Sequence, residues 1–168
     1  MDFEHLDLVE LDKDLSEEQQ KEWNAIYASY RSGSVLTGKV AGMDTTSITL
    51  KNKDTGEMEK KEINCLVIIG YRVKVLIPEQ EIWYEATKRP THVLRSMAGS
   101  VIDYVITGID REGDCCTASR RMALHIRRRS FLRLSPEIGR KISAKILAVG
   151  KTHLLCSAGG FDITLSQR

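Results

Sequence analysis

Gly33-Ser-Val-Leu-Thr-Gly-Lys-Val-Ala-Gly-Met43 and Gly139-Arg-Lys-Ile-Ser-Ala-Lys-Ile-Leu-Ala-Val149 are one phrase written twice. Aligned from their first glycine, Leu36 meets Ile142, Gly38 meets Ala144, Lys39 meets Lys145 and Val40 meets Ile146. Each copy opens on Gly and then alternates apolar with polar residues, the pattern of a strand with one buried face. A repeated strand opening predicts a repeated β module. The chain is therefore expected to be mainly β, with a second copy only partly written.

Outward from the first phrase, strand-like runs at 34–43, 47–52, 58–69 and 72–77 are separated by the turn Lys53-Asp54-Thr55-Gly56 and a bend at Gly70, and end at Pro78. A short helix is expected over 79–85. The basic loop Lys88-Arg89-Pro90 then leads to strands at 100–109 and 114–119, joined by Asp110-Arg111-Glu112-Gly113, whose Gly is expected to supply left-handed geometry. This makes six strands, or five if Gly70 only kinks a longer one. The second copy predicts strands at 141–148, 152–156 and 161–165, which leaves two edges unpaired. The expectation is that the natural chain continues past Arg168 or that another molecule completes the second barrel.

Two helices frame these strands. Ser16-Glu17-Glu18-Gln19 has the form of a capping box and predicts a helix over 17–31, ended by Ser32-Gly33. It places Trp23, Ile26, Tyr27 and Tyr30 on one face, which packs against the first barrel or docks a partner. A second helix is predicted over 120–134, stopped by Pro136, with Met122, Ile126, Phe131 and Leu132 inward and Arg127, Arg128 and Arg129 outward. The expected organisation is an acidic segment with a helix (1–32), a first barrel with a long hairpin at 51–62 (33–119), a basic linker helix (120–136) and a partial second barrel (137–168).

A net charge of +2 hides a strong asymmetry. Residues 1–32 hold nine acids against Lys13, Lys21 and Arg31, and the first dozen alternate acid with Leu or Val, as a tail or a docking strand does. Residues 120–145 reverse the balance, with nine basic residues against Glu137 alone. A basic run of this density points to phosphate contact, because guanidinium groups bind phosphate in paired hydrogen bonds and release counterions. Its competing reading is an internal pairing with the acidic segment.

Cys65, Cys115, Cys116 and Cys156 have no partner at zinc-ligand spacing and are read as reduced thiols, with no metal and no cofactor expected. No nucleophile motif, phosphate-cradling Gly loop or tuned carboxylate pair is visible, so the chain is not expected to be an enzyme. The acidic N-terminus is unlike a secretory signal and no apolar run reaches membrane-spanning length. A cytoplasmic protein without membrane contact is the expectation.

The order of phrases resembles the S1 domain, a five-stranded barrel of the OB-fold class found repeated in the large RNA-binding protein of the bacterial small ribosomal subunit. The opening is similar to Gly33-Ser-Val-Leu-Thr-Gly-Lys-Val40, the middle to Val75-Leu-Ile-Pro-Glu-Gln-Glu81, and the close to Gly99-Ser-Val-Ile-Asp-Tyr-Val-Ile-Thr-Gly-Ile-Asp110 followed by Thr117-Ala-Ser-Arg-Arg121. For the second copy, 139–149 and Gly159-Gly-Phe-Asp-Ile-Thr-Leu-Ser166 resemble the first three strands. The resemblance implies tandem S1-like barrels that bind single-stranded RNA, with a link to the ribosome or translation. Where the family carries stacking aromatics, the first copy has Thr45-Thr-Ser-Ile-Thr-Leu50, whereas the second offers His153 and Phe161.

The expected nucleic-acid site is accordingly Arg120, Arg121, Arg127, Arg128, Arg129, Arg133, Lys145, Lys151, His153 and Phe161. The alternative is a protein-interaction module in which the aromatic-poor first barrel and the acidic helix dock a ribosome or polymerase partner.

Overall fold

The computed structural model describes residues 14–51, 54–85 and 89–167. The acidic run before Asp14 and Lys88 of the basic loop lie outside them. Helix α1 (Glu17–Ser32) forms with the expected capping box: the Gln19 N–H donates to the Ser16 hydroxyl and the Ser16 N–H to Gln19 Oε1 at 2.9 Å. Gly33, at φ +69°, takes the left-handed conformation that ends it. Trp23 and Ile26 are buried against the barrel, and Arg111 caps the Trp23 ring at 4.2 Å. The aromatic face of α1 is thus largely a packing face. Two polar groups pin it there: the Ser29 hydroxyl accepts from the Ile106 N–H, and the Glu22 carboxylate accepts from the N–H groups of Tyr71, Arg72 and Val73.

Five strands, β1 (Leu36–Lys51), β2 (Met58–Ile69), β3 (Lys74–Pro78), β4 (Val101–Asp110) and β5 (Cys115–Ser119), close a barrel in the order β1-β2-β3-β5-β4. All pairs are antiparallel except β3 with β5. Five strands arise differently from the expectation. The predicted strands at 34–43 and 47–52 are one, because residues 44–46 pair without interruption with 63–65. Their polar side chains find partners across the ladder: Asp44 pairs with Lys74 at 2.8 Å, and the Thr45 hydroxyl donates to Asn64 Oδ1 at 3.1 Å. Gly70 separates β2 from β3 rather than kinking one strand.

Smaller corrections follow from backbone geometry. The left-handed residue of the β4–β5 turn is Asp114 (φ +47°), while Gly113 donates its N–H to Asp110 Oδ1. The helix predicted over 79–85 is a single 3-10 turn, Glu79–Glu81. A short helix α2 (Thr91–Ser96) was not anticipated; it delivers Leu94 and Met97 to the core.

Helix α3 (Arg120–Arg133) starts where expected, with the Met122 N–H donating to the Ser119 hydroxyl, but its phase is different. Arg120, Ala123 and Leu124 face inward and Phe131 is half-buried, while Met122, Ile126 and Leu132 face solvent. The inward-pointing Arg120 fixes that rotation. A second sheet follows, β6 (Lys145–Val149), β7 (His153–Ala158) and β8 (Phe161–Ser166), with β7 in the middle.

This second sheet repeats the pairing of the first three barrel strands residue for residue. Val40 opposite Ile68 becomes Ile146 opposite Cys156, and Met43 opposite Leu66 becomes Val149 opposite Leu154. Leu66 opposite Ile77 becomes Leu154 opposite Leu165, and Ile68 opposite Val75 becomes Cys156 opposite Ile163. Even the irregularity is shared: the register slips between Val40 and Gly42 in one copy and between Ile146 and Ala148 in the other. Gly33 and Gly139, which open the two phrases, both have positive φ.

The second copy does not form a core of its own. Leu147, Ala148 and Leu155 join the same apolar cluster as Trp83, Leu94 and the barrel interior. β6 also begins at Lys145 rather than near 141, since no described strand pairs with residues 142–144 as β4 pairs with Leu36, Thr37 and Gly38 of β1.

Candidate nucleic-acid interface

The basic helix α3 lies between the barrel and the second sheet, and its arginines divide by where they point. Arg120 is 2% exposed: its guanidinium donates to both Asp162 oxygens, at 2.9 and 2.6 Å, and to the Ile82 carbonyl, and it lies 5.7 Å from the Trp83 ring centre. Two parallel N–H···O bonds satisfy both charges inside the protein. Arg120 is therefore a strut between barrel and sheet, and its expected place in a phosphate-binding surface is corrected.

Arg128 is the second strut. It is half-buried, stacked between Tyr84 at 3.6 Å and Phe161 at 4.2 Å, and it donates to the Gly160 carbonyl at 2.8 Å. Gly160 (φ +83°) must be glycine for this approach, because a Cβ there would lie 2.6 Å from the Arg128 nitrogen and 2.7 Å from the Leu124 oxygen. Phe161 is covered on one side by Arg128 and meets Phe131 edge-on at 6.3 Å. It packs the seam rather than offering an open stacking platform, which corrects its expected role. Arg127 is tied to Asp103 at 2.9 Å, with Lys145 at 3.9 Å from the same carboxylate and the Thr37 hydroxyl donating to it at 2.7 Å. Burial works against a charged Asp103, but the Thr37 and Arg127 hydrogen bonds and the nearby cations outweigh it and hold its pKa below the usual carboxylate value.

Arg121, Arg129 and Arg133 remain exposed, with no acidic partner among the described residues. They lie with His125 at successive four-residue intervals, so they share one side of α3. His125 stacks nearly parallel to Tyr84 (8°, centroids 6.2 Å apart), and the Tyr84 hydroxyl lies 3.3 Å from His125 Nδ1. The sequence hides this Tyr84–His125–Arg128 step because Tyr84 comes from a distant segment, and no spacing rule joins it to His125 and Arg128 of α3.

Lys151 and His153 are exposed at the β6–β7 turn, where the Thr152 hydroxyl contacts His153 Nδ1 at 2.8 Å. His153 also lines a cleft of about 180 Å³ together with Arg89, His92, Val93, Leu154 and Thr164. The cleft joins α2 to the second sheet and has an apolar floor with cationic or imidazole groups around it. Arg89 additionally lies over the Trp83 ring at 4.7 Å. The grouping of His153 with Arg89 and His92 could not be read from the sequence, because His153 comes from a distant segment.

No group of three or more His, Cys, Asp or Glu among the described residues is arranged to hold a metal ion. Burial pushes the Cys116 thiol up to about 12 and raises that of Cys65, so neither supplies a thiolate near neutral pH. No described helix is long and apolar enough to cross a membrane. No model of a known protein family matches the sequence, and no curated protein matches it closely enough to count as a relative.

Proposed function

We propose that this chain is a cytoplasmic, non-catalytic RNA-binding protein built from tandem S1-like OB-fold barrels, the second of them partial. Single-stranded RNA runs along the outer side of α3. The observation that carries this reading is the row Arg121, Arg129 and Arg133, solvent-facing and without acidic partners among the described residues, interrupted by His125 stacked on Tyr84. Guanidinium groups supply sequence-independent phosphate attraction, and an aromatic step supplies sequence-tolerant base stacking. The closed five-stranded barrel supports the OB-fold part of the proposal. The cleft with Arg89, His92 and His153 gives the strand a second place to lodge. Docking of a ribosome or polymerase partner through α1 has less behind it, because Trp23 and Ile26 are spent on packing.

The test is binding of a fluorescent single-stranded RNA across a salt series, with a length-matched DNA duplex as comparison. Replacing Arg121, Arg129 and Arg133 together by Ala is expected to weaken binding and to flatten the log–log salt slope by roughly 2, at about 0.7 per lost single-strand phosphate contact. An unchanged affinity and slope would remove α3 from the site. Arg127 and Arg128 are left intact in this experiment because both hold the fold.

A further inference from the structure

The outer side of α3 carries more than the phosphate attraction of an RNA site requires. At about 100° per residue, Arg121, Met122, Ile126, Arg129, Leu132 and Arg133 fall within about 140° of helix arc. Met122, Ile126 and Leu132 are 46, 37 and 58% exposed there, and the three arginines have no acidic partner among the described residues. Arg120, Arg127 and Arg128, whose partners belong to the barrel and the second sheet, lie outside this arc. A surface that interleaves guanidinium groups with bare Met, Ile and Leu side chains is matched by a ligand that interleaves carboxylates with apolar groups.

This chain contains such a ligand. Asp2-Phe-Glu-His-Leu-Asp-Leu-Val-Glu-Leu-Asp12 intersperses five acids with Phe3, Leu6, Leu8, Val9 and Leu11, within the thirteen residues that lie outside the described part before Asp14. The near end of this segment is fixed, since Leu15, just before α1, packs against the apolar cluster. From there the way to α3 runs along α1 to Trp23, which meets Arg111, and along β4 to Asp103, which pairs with Arg127, about 36 Å along these elements. Thirteen extended residues span about 45 Å, so the segment reaches the outer arc. The tether also gives it an effective concentration on the order of millimolar, which favours it over a free partner of the same composition.

We propose that residues 1–13 dock on the outer side of α3, with carboxylates on Arg121, Arg129 and Arg133 and apolar side chains on Met122, Ile126 and Leu132, and so compete with RNA for that surface. The competition rests on the RNA reading above; the docking itself does not. Its ionic half weakens with salt and its apolar half does not.

The test uses the full chain in three forms: wild type, an amide variant (Asp2→Asn, Glu4→Gln, Asp7→Asn, Glu10→Gln, Asp12→Asn) and a variant that keeps every charge (Leu6→Ser, Leu8→Ser, Leu11→Ser). A labelled peptide of residues 1–13 should bind the amide variant saturably with a Kd of about 0.1 mM, and wild type more weakly because its own segment competes. Arg121→Ala, Arg129→Ala and Arg133→Ala together in the amide variant should abolish that binding. No peptide binding, or binding that survives the loss of the three arginines, overturns the docking. Both N-terminal variants should bind single-stranded RNA about tenfold more tightly than wild type, the ratio of effective concentration to Kd. A gain confined to the amide variant would be a net-charge effect and overturns the competition. Peptide docking without RNA binding by any form would uphold the contact and remove the RNA reading instead. A wild-type protein that dimerises with concentration, where the amide variant stays monomeric, would place the segment on a neighbouring copy and overturn the intramolecular contact.

Discussion

Removal of the Asp162 carboxylate leaves the Arg120 guanidinium buried with the Ile82 carbonyl as its remaining acceptor among the described residues. An uncompensated buried charge costs far more than the pair contributes, so Asp162→Ala should lower stability by about 3–5 kcal/mol. Replacing both partners with apolar residues of similar size, Arg120→Met with Asp162→Leu, should recover most of that loss. Denaturant unfolding of the two proteins checks this, and equal loss in single and double variants would show that packing, not charge, is at stake. The same pair shows where reading the sequence stops. Nine basic residues in one run correctly mark an electropositive stretch, but a count carries no partners. Arg120 meets an aspartate from a distant strand, Arg128 meets two aromatic rings, and Arg127 and Lys145 share Asp103, so that on the helix Arg121, Arg129 and Arg133 keep the free exposure that the count assigns to all, as do Arg140 and Lys141 after it.

At the level of elements, Asp103 of β4 ties four of them: Thr37 of β1 donates to it, Arg127 of α3 pairs with it, and Lys145 of β6 lies within ion-pair distance. Its folded pKa lies below the ordinary 3.8, so its contribution is fully present above that value and is lost as pH falls through the folded pKa. Asp103→Asn should therefore cost about 1–2 kcal/mol at pH 7 and close to nothing at a pH below the folded pKa. Chemical denaturation at the two pH values reads this directly, and a penalty that persists in acid would assign Asp103 a purely steric role. Elements with local causes were legible in the sequence: the α1 capping box, the Ser119 start of α3, and the repeat itself. Those decided by distant partners were not. The joining of two predicted strands into β1 depends on cross-strand partners for Asp44 and Thr45, and the rotation of α3 depends on Arg120 turning inward against its apolar periodicity.

At the scale of the whole molecule, both repeats contribute to one apolar cluster among the described residues, and this bears on whether they behave as separate units. A chain of independent modules would bury Leu147, Ala148 and Leu155 among residues of their own sheet, yet these three lie in one cluster with Trp83, Leu94, Met97 and the barrel interior. The seam is fastened again by Arg120 with Asp162, and by Arg128 reaching Gly160. A shared core and buried polar ties couple unfolding, since neither part can open without exposing the other. Far-UV circular dichroism, which reports all strands, and tryptophan fluorescence, which reports Trp23 and Trp83 on the barrel side, should accordingly give one coincident transition. The slowest-exchanging amides of β7 should open at the same free energy as those of β2. If β7 instead exchanged through a distinct opening of lower free energy while β2 stayed protected, the second sheet would be an appended module.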